Sequence, residues 1–437
     1  MPHDEVVPLP AASAVREEVV DGAAVLHKVA WRLIPFLCLL YIFNILDRNN
    51  VGFARITMEQ ELGMSQAVFD LGTGIFYFGY LAFEVPANLL LQLVGARRWI
   101  ARIMITWGMV SCATMLVTGP VGFYLVRILL GVAEAGFFPG IVLYLTYWFP
   151  THLRARMMSL FMMAIPMAGV FGNPISGAIM QYLEGAGGLA GWQWLFLLEG
   201  LPSIVLGLVV LAYLPDGPHK ASWLRGHERT WLQSQLDREA QARAHPQGKN
   251  WMATLIEPRV WLLIAIYFTV AVGSNASGSY FPRLIGQQFQ EASKMQIGLL
   301  SALPHVSAVV CMVLIAISSD RTGGHSVHVA FAALLAAVGW SIAAAADHPW
   351  LALAGLCLAQ AGMMSMLPPF WALPTSFLTG TAAAAGIALI NSVANVGGLF
   401  GPAILGWLGL PAMAIILLGG ALLALLVRPA PRPSTSE

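Results

Sequence analysis

The chain has 437 residues, of which 58% are hydrophobic and 10% are charged, and its formal net charge is +1. A water-soluble domain has about 25% charged residues, so this composition excludes a protein whose outer surface is entirely in water. A nearly neutral chain gives no reason to expect nucleic acid as a partner. The four cysteines lie in apolar runs without clustered spacing, so we expect no disulfide framework, metal site or cofactor.

Residues 1–27 form a mixed, polar segment with prolines at Pro8 and Pro10 and acids at Glu17 and Glu18. A signal peptide would have a basic start followed directly by an apolar core. The segment lacks that order, so we predict a cytoplasmic N-terminal tail.

Twelve apolar segments follow, and each is long enough to form a membrane helix, since about 20 apolar residues cross the hydrocarbon core. The segments cover residues 30–53, 68–94, 99–118, 121–148, 156–181, 193–214, 258–285, 296–318, 326–345, 350–376, 384–408 and 411–427. We therefore predict an all-α membrane protein with twelve transmembrane helices in two six-helix bundles. The last segment is near the lower length limit for a spanning helix.

The predicted bundles comprise residues 28–214 and 258–427. Residues 215–257 form the only long polar stretch between apolar segments, which predicts a cytoplasmic linker with a helical piece around 226–243. Residues 428–437 are predicted to form a short cytoplasmic tail.

Basic residues in the short loops predict the orientation. Loops on one side contain Arg97, Arg98, Arg102, Arg154, Arg156 and Arg321. Loops on the other side contain little beyond Arg55, Arg283 and Lys294. Because cytoplasmic loops carry an excess of Lys and Arg, both termini are expected in the cytoplasm.

The two halves of the chain resemble each other at an offset of 228 residues. Thr151 matches Thr379, and Pro174 matches Pro402 at this offset. A parallel repeat of two bundles places a solute site at their interface, near the middle of the membrane.

Arg127 and Glu134 are charges inside the fourth apolar segment. Seven residues apart on a helix, they share one face at about 10.5 Å, and Gly131 between them is expected to leave that face open. An arginine can hold a carboxylate with two parallel bonds, and a glutamate in a partly dry cavity can take up and lose a proton. The alternative is a static ion pair that locks two helices together.

Asp47 and Arg48 are adjacent in the first segment, so they point about 100° apart on a helix. One is expected to face a cavity while the other reaches a neighbouring helix. The alternative is that both are simply solvated near the outer end, a stretch made polar by Asn44, Asn49 and Asn50.

Other polar residues are weaker candidates for substrate contact. Tyr77 and Tyr80 can donate hydroxyls to an anion or pack as aromatic rings. Asn391 and Asn395 lie four residues apart on one helix face and can bond either a substrate or another helix. Trp371 can stack on a ring or fill space.

Further candidates are expected to be structural or to act elsewhere. His305 can carry a proton, although its surroundings favour a structural histidine. Glu84 is expected toward the cytoplasmic end of the second segment, and Glu199 is expected to be structural or near a surface. Asp320 and Arg321 are predicted to form a gate contact between helices. No glycine-rich phosphate loop with a lysine is present in the sequence, which argues against ATP drive.

Several motifs resemble the anion:cation symporter branch of the major facilitator superfamily, and the resemblance covers residues 28–408. The motifs are DRN (47–49), FEVPAN (83–88), RILLGVAEAGFFPG (127–140), WQWLFLLEG (192–200) and SDRTG (319–323). Two more are similar to the group associated with tartrate and phthalate, namely FWALPTSFLTG (370–380) and GIALINSVANVGG (386–398).

The resemblance implies proton-coupled uptake of an organic anion by alternating access. It assigns protonation to the residues at Asp47 and Glu134, and anion binding or pairing with those acids to Arg48 and Arg127. Residues at the positions of Tyr80 and Asn391 contact substrate in such relatives.

One loop departs from the superfamily pattern, because the turn from Gly95 to Arg98 lacks the expected acid, whereas the second copy has Asp320.

We thus predict a secondary active transporter in the inner membrane of a bacterium, a monomer that takes up a carboxylate such as tartrate, phthalate or a sugar acid with protons. An organic anion exchanger is the alternative. A sensor built on a carrier fold would need a sizeable signalling domain, and a membrane enzyme would need a reactive cluster, so both are less favoured.

Overall fold

The computed structural model describes residues 20–244, 256–378 and 380–427. The predicted C-terminal tail, most of the predicted N-terminal tail, residues 245–255 of the linker and Thr379 of the repeat comparison lie outside these residues. Within them the chain forms helices without β-strands.

The first half consists of eight α-helices, followed by a ninth in the linker. These are α1 (Gly22–Glu61), α2 (Gln66–Val94), α3 (Ala96–Ala113), α4 (Pro120–Glu134), α5 (Phe137–Thr146), α6 (Thr151–Met162), α7 (Ala164–Tyr182), α8 (Gly191–Tyr213) and α9 (Gly226–Ala244). The helical piece predicted around residues 226–243 is therefore confirmed by α9. Helix α1 starts at Gly22, inside the segment that was predicted as a tail.

The second half follows the same plan. Its helices are α10 (Pro258–Gln288), α11 (Lys294–Thr322), α12 (His325–Ala345), α13 (Pro349–Ser365), α14 (Leu367–Phe377), α15 (Gly380–Ala394), α16 (Val396–Leu408) and α17 (Leu410–Leu425). Ten helices or helix pairs of the described chain are long and apolar enough to cross a membrane. The ten do not include α2, which has 29 residues, or α17, which has 16. The length of α17 is close to that of the short last segment that the sequence predicts.

Breaks occur in corresponding helices of the two halves. The α4–α5 break contains Gly136, whose φ of +84° is left-handed and costs little without a side chain. The α13–α14 break falls at Met366, its counterpart in the second half. Likewise α6 and α7 are separated at Met163, and α15 and α16 at Asn395. This shared pattern agrees with the internal repeat.

The helices alternate in direction, so the molecule has two opposite ends. We call one the turn face, which bears residues 62–65, residues 289–293 and Gly409. The other is the termini face, which bears the start of α1 and the end of α17. Helix α9 lies on the termini face, where Lys28 of α1 forms an ion pair with Glu228 at 2.7 Å.

The two halves pack against each other through α1 with α10, α2 with α16 and α7 with α11. Small residues make this approach possible: a Cβ at Gly52 would lie 2.9 Å from the carbonyl oxygen of Ser279. A Cβ at Gly177 would lie 3.0 Å from the Cα of Gly298. Both contacts are in the parts of the helices near the turn face, so this end of the molecule is closed.

Candidate functional site

Two arginines of the first half lie close to one aromatic ring. The guanidinium carbons of Arg48 on α1 and Arg127 on α4 are 5.2 and 5.1 Å from the ring centroid of Phe76 on α2. Arg127 is only 2% exposed. A desolvated guanidinium over an aromatic face is attracted by the ring quadrupole, so Phe76 holds two positive charges near each other without neutralising them.

Glu134, at the end of α4, forms an ion pair with Arg48 and is 2% exposed. The sequence suggested Arg127 as its neighbour on the helix face, but the pair that forms joins α4 to α1. The Nε of Arg127 donates to the carbonyl oxygen of Gly72 at 3.4 Å, and its Nη1 has no hydrogen-bond partner among the described residues.

The expectation that Gly131 leaves the α4 face open is wrong. A Cβ at this position would lie 2.1 Å from the carbonyl oxygen of Phe76, so α2 packs directly over it. The glycine permits a close helix crossing, and this crossing brings Phe76 close to both arginines.

Asp47 points away from Arg48, into the interior of the first half. Its carboxylate accepts hydrogen bonds from Trp107 Nε1 at 2.9 Å and Ser111 Oγ at 2.8 Å on α3, and from Ser203 Oγ at 2.7 Å on α8. The alternative of a solvated Asp47 is wrong, because the residue is 2% exposed. No hydrogen bond or ion pair joins it to Arg48 or Glu134 within the described chain, and its role in proton coupling stays a prediction.

Tyrosines of α2 form a wall beside Arg48. The Arg48 guanidinium carbon lies 5.9 Å from the ring centroid of Tyr77 and 5.6 Å from that of Tyr80. The hydroxyl of Tyr77 also donates to Asn275 Oδ1 on α10, which crosses from the first half to the second. The predicted pair therefore lies at the interface between the halves.

The second half contributes aromatic rings to the same region. Trp371 on α14 packs edge-on against Tyr267 at 5.1 Å and against Phe370 at 5.3 Å between ring centroids. Tyr267 lies close enough to Arg48 to interact with its charge, so this aromatic cluster is near the arginine. The indole nitrogen of Trp371 is buried and has no hydrogen-bond partner among the described residues.

The two predicted asparagines have different surroundings. Asn391 donates to Glu84 Oε1 on α2 at 3.2 Å, so in this conformation it bonds the other half. Asn395 lies half-buried at the break between α15 and α16, with no side-chain hydrogen bond to another described residue. Substrate contact by both stays a prediction.

The gate contact predicted for Asp320 and Arg321 is not formed in this conformation. Both are exposed at the end of α11, and neither forms an ion pair within the described part of the chain. The acid absent from the turn at Gly95 has a substitute, because Asp216, which follows α8, accepts a hydrogen bond from the backbone nitrogen of Arg97 at 3.1 Å.

The turn face instead has a charged network that the sequence analysis missed. Arg55, expected to be a loop charge, is 2% exposed and pairs with Asp70 at 2.9 Å and Glu59 at 2.6 Å. The hydroxyl of Tyr280 on α10 donates to Asp70, and Arg283 lies 3.6 Å from Glu59. One feature of the sequence could have indicated part of this network: Arg55 and Glu59 are four residues apart, which is the spacing of an ion pair on a helix.

Comparisons with known proteins identify the family. The model of the Major Facilitator Superfamily matches residues 37–402. A protein of Agrobacterium vitis named "Putative tartrate transporter" is 48% identical over 414 residues, covering 93% of this chain and 91% of that protein. The "Inner membrane transport protein RhmT" of Escherichia coli (strain K12) is 37% identical and covers 87% of each chain.

A solved structure has the same fold at much lower identity. It is the inward-facing, occupied form of a bacterial homologue of the human lysosomal transporter Spinster, 15% identical, with a TM-score of 0.70 over 90% of this chain and 96% of that one. Together with the extent of the family match, these relatives show that the chain belongs to the major facilitator superfamily and is similar to transporters.

Proposed function

We propose that the chain is a secondary active transporter that takes up an organic anion together with protons by alternating access. One observation carries this proposal: Arg48 and Arg127 lie around the Phe76 ring with Glu134 as their only ion-pair partner among the described residues. Arg127 itself has no ion-pair partner in the described chain, and a substrate carboxylate would supply the one that it lacks.

Protonation of Glu134 would link the proton to the substrate. When Glu134 is ionised, it occupies Arg48. A proton on this carboxyl removes the attraction, so Arg48 and Arg127 become available to hold a substrate carboxylate with parallel N–H bonds. Each proton that moves inward with the substrate gains about 2.3 kcal/mol per 100 mV of membrane potential.

The surrounding residues suit a carboxylate with polar or aromatic parts. Tyr77 and Tyr80 present hydroxyls beside Arg48, Trp371 presents an indole nitrogen without a partner among the described residues, and Asn391 and Asn395 supply amides. Hydroxylated acids such as tartrate or sugar acids and aromatic acids such as phthalate both match this lining. The name of the relative from Agrobacterium vitis favours tartrate as the first substrate to try.

The proposal includes a membrane arrangement. We infer twelve spanning helices, a monomer in a bacterial inner membrane, and the termini face in the cytoplasm, because the short loops on that face carry the arginines. The closed turn face then faces outward, and its network of Arg55, Asp70 and Tyr280 must open for substrate to enter. In that opposite state Asp320 and Arg321 would form their gate contact.

Uptake by the Glu134→Gln variant tests the role of the proton. The glutamine keeps the size of the side chain but cannot carry a proton. In proteoliposomes with radiolabelled tartrate, we expect the wild type to accumulate substrate when the outside is acidic and the variant to lose this accumulation. Asp237→Asn on the exposed face of α9 is the matched control and should behave as wild type. Full accumulation by Glu134→Gln contradicts the proposal.

An organic anion exchanger is the second candidate, and the direct Arg48–Glu134 pair favours it in one respect. A substrate carboxylate can compete with Glu134 for Arg48 without a proton being transferred. Counterflow of tartrate that proceeds at equal pH, combined with no response to a pH gradient, would identify an exchanger.

A further inference from the structure

A buried carboxyl group lies outside the site described above. Glu199 on α8, expected to be structural or near a surface, is 3% exposed in the interior of the first half. Its Oε1 accepts a hydrogen bond from Ser176 on α7 at 2.6 Å. Its Oε2 has no partner among the described residues. An ionised carboxylate in such surroundings is costly, so the site favours a group that gains a proton.

Asp47 is a second buried carboxyl group beside α8. Ser203 lies four residues after Glu199, on the same face of the helix, and its hydroxyl donates to Asp47 at 2.7 Å. The two carboxyl groups interact electrostatically. No lysine or arginine forms an ion pair with either of them within the described chain, so they disfavour being ionised together.

The other elements around Glu199 supply few titratable groups. Helix α3 presents the Cys112 thiol, since a Cβ at Gly200, the residue after Glu199, would lie 2.8 Å from its Sγ. Helix α7 presents the hydroxyl of Ser176. Across the interface between the halves, the His305 ring of α11 lies against α7 at Gly169. None of these supplies a fixed positive charge to Glu199.

A small cavity with a mixed polar and apolar lining lies beside Ser176. It has a volume of about 10 Å³, roughly the room that one water molecule needs, and its polar lining comes from Asn49, Asn50, Asn173 and Ser176. Asn50 is 1% exposed and lies near the Glu199 carboxyl, but its amide makes no hydrogen bond of good geometry with a described residue. Buried amides without protein partners are the groups that internal water satisfies.

The second half of the molecule covers this cavity. Asn173, which lines it, donates to the carbonyl oxygen of Ser301 on α11 at 2.8 Å. The His305 ring lies against Gly169, which also lines it. Separation of α7 from α11, which opening of the turn face requires, would expose the cavity to water from that side.

We propose that Glu199 is a proton-carrying residue that exchanges its proton with water in this cavity through Ser176. The inference rests on the proposed proton-coupled transport. With the turn face open, a proton from water binds the Glu199 carboxylate through the cavity. The Ser176 hydroxyl, which lines the cavity and donates to Glu199, gives its proton to the carboxylate and takes one from a hydronium ion in the cavity, so only O–H bonds form and break. Closing of the turn face removes the cavity from water and prevents the proton from returning.

Two substitutions separate proton transfer from packing. Glu199→Gln keeps the shape and the bond to Ser176 but cannot carry a proton, whereas Glu199→Asp keeps a carboxyl group and shortens the side chain. For accumulation of radiolabelled tartrate driven by a pH gradient in proteoliposomes, we expect loss in Glu199→Gln and partial retention in Glu199→Asp. If Glu199 serves only in packing, Glu199→Gln should accumulate more tartrate than Glu199→Asp, and that result would overturn the inference.

An infrared measurement on the purified, folded proteins makes the test independent of the substrate. Wild-type protein should show the C=O band of a protonated, buried carboxylic acid that changes with pH, and Glu199→Gln should lack it. If the wild type accumulates no organic acid, the proposed function fails while the infrared band still reports on Glu199. If Glu199→Gln keeps both the band and the accumulation, the inference fails and the proposed function stands.

Discussion

The two halves of this molecule share a helical plan but differ sharply in their buried charges. Seven charged residues are buried in the described chain, and all lie in the first half: Asp47, Arg55, Asp70, Glu84, Arg127, Glu134 and Glu199. In the described second half no Asp, Glu, Lys or Arg is buried, and the buried polar groups there are hydroxyls, amides and one histidine. The repeat therefore preserves the backbone arrangement without preserving the electrostatics.

The difference indicates a division of roles at the interface. The first half holds the arginines and carboxyl groups whose charge can change or be neutralised. The second half contacts this region with neutral groups: Asn391 bonds the carboxyl group of Glu84, and Asn275 bonds the hydroxyl of Tyr77. Neutral partners form and break bonds at low cost when one bundle moves against the other, because each such bond is worth only about 1 kcal/mol. A pair of buried charges across the interface would resist that motion more strongly.

Asp70→Asn should produce the largest effect, because it removes a charge from the buried network at Arg55. Leaving a buried guanidinium without this partner is expected to lower the free energy of unfolding by about 3 kcal/mol. Thermal unfolding of the detergent-purified protein measures the change. Ser277→Ala, at a buried neutral position of the second half, is the matched control and should cost about 1 kcal/mol. Equal destabilisation by both variants would remove the contrast between the halves.

Arg127→Leu should weaken substrate binding strongly while leaving the fold intact. The guanidinium donates one long hydrogen bond within the described chain, so its loss disturbs the packing little. Removing a charged partner from a substrate carboxylate costs about 2 kcal/mol or more, which corresponds to a roughly 30-fold higher half-saturating concentration. Tartrate uptake in proteoliposomes measures this value. An unchanged half-saturating concentration would show that Arg127 is a structural cation.

Asn275→Ala should have the smallest of these effects, because it removes a neutral group of the second half. The Tyr77 hydroxyl loses its acceptor, and a neutral hydrogen bond of about 1 kcal/mol corresponds to a roughly fivefold change in half-saturating concentration. A cycle with Tyr77→Phe provides the control, since two residues that act through one bond have non-additive effects. A loss as large as that of Arg127→Leu would contradict the proposed division of roles.

Much of the helical plan could be predicted from apolar length alone. The seventh segment was predicted over residues 258–285, and α10 covers Pro258–Gln288. The burial of Arg127 and Glu134 followed from their place in an apolar run, and the divergence of Asp47 from Arg48 followed from the angle between adjacent helical residues. These are local properties, which depend on the order of neighbouring residues.

Partners could not be predicted in the same way. The sequence placed Glu134 beside Arg127, its neighbour on one helix, yet it pairs with Arg48 on another. It treated Arg55 as a loop charge, because the four-residue spacing from Glu59 was the only local sign of a longer α1 and nothing local shows that α2 brings Asp70 against Arg55. The rotation of a helix and the neighbour that it meets depend on packing over the whole bundle.

The order of residues alone determined that this chain is a helical membrane protein with charged side chains inside its apolar segments. The reason is that the hydrocarbon core sets the length of a spanning helix and makes a charge within it costly in free energy. The tertiary structure decided which charges meet. Arg48 and Glu134 are 86 positions apart, and Asp47 and Ser203 are 156 apart. A buried charge is stabilised by whichever group the packing brings within a few ångströms, and that distance exists only in the folded bundles.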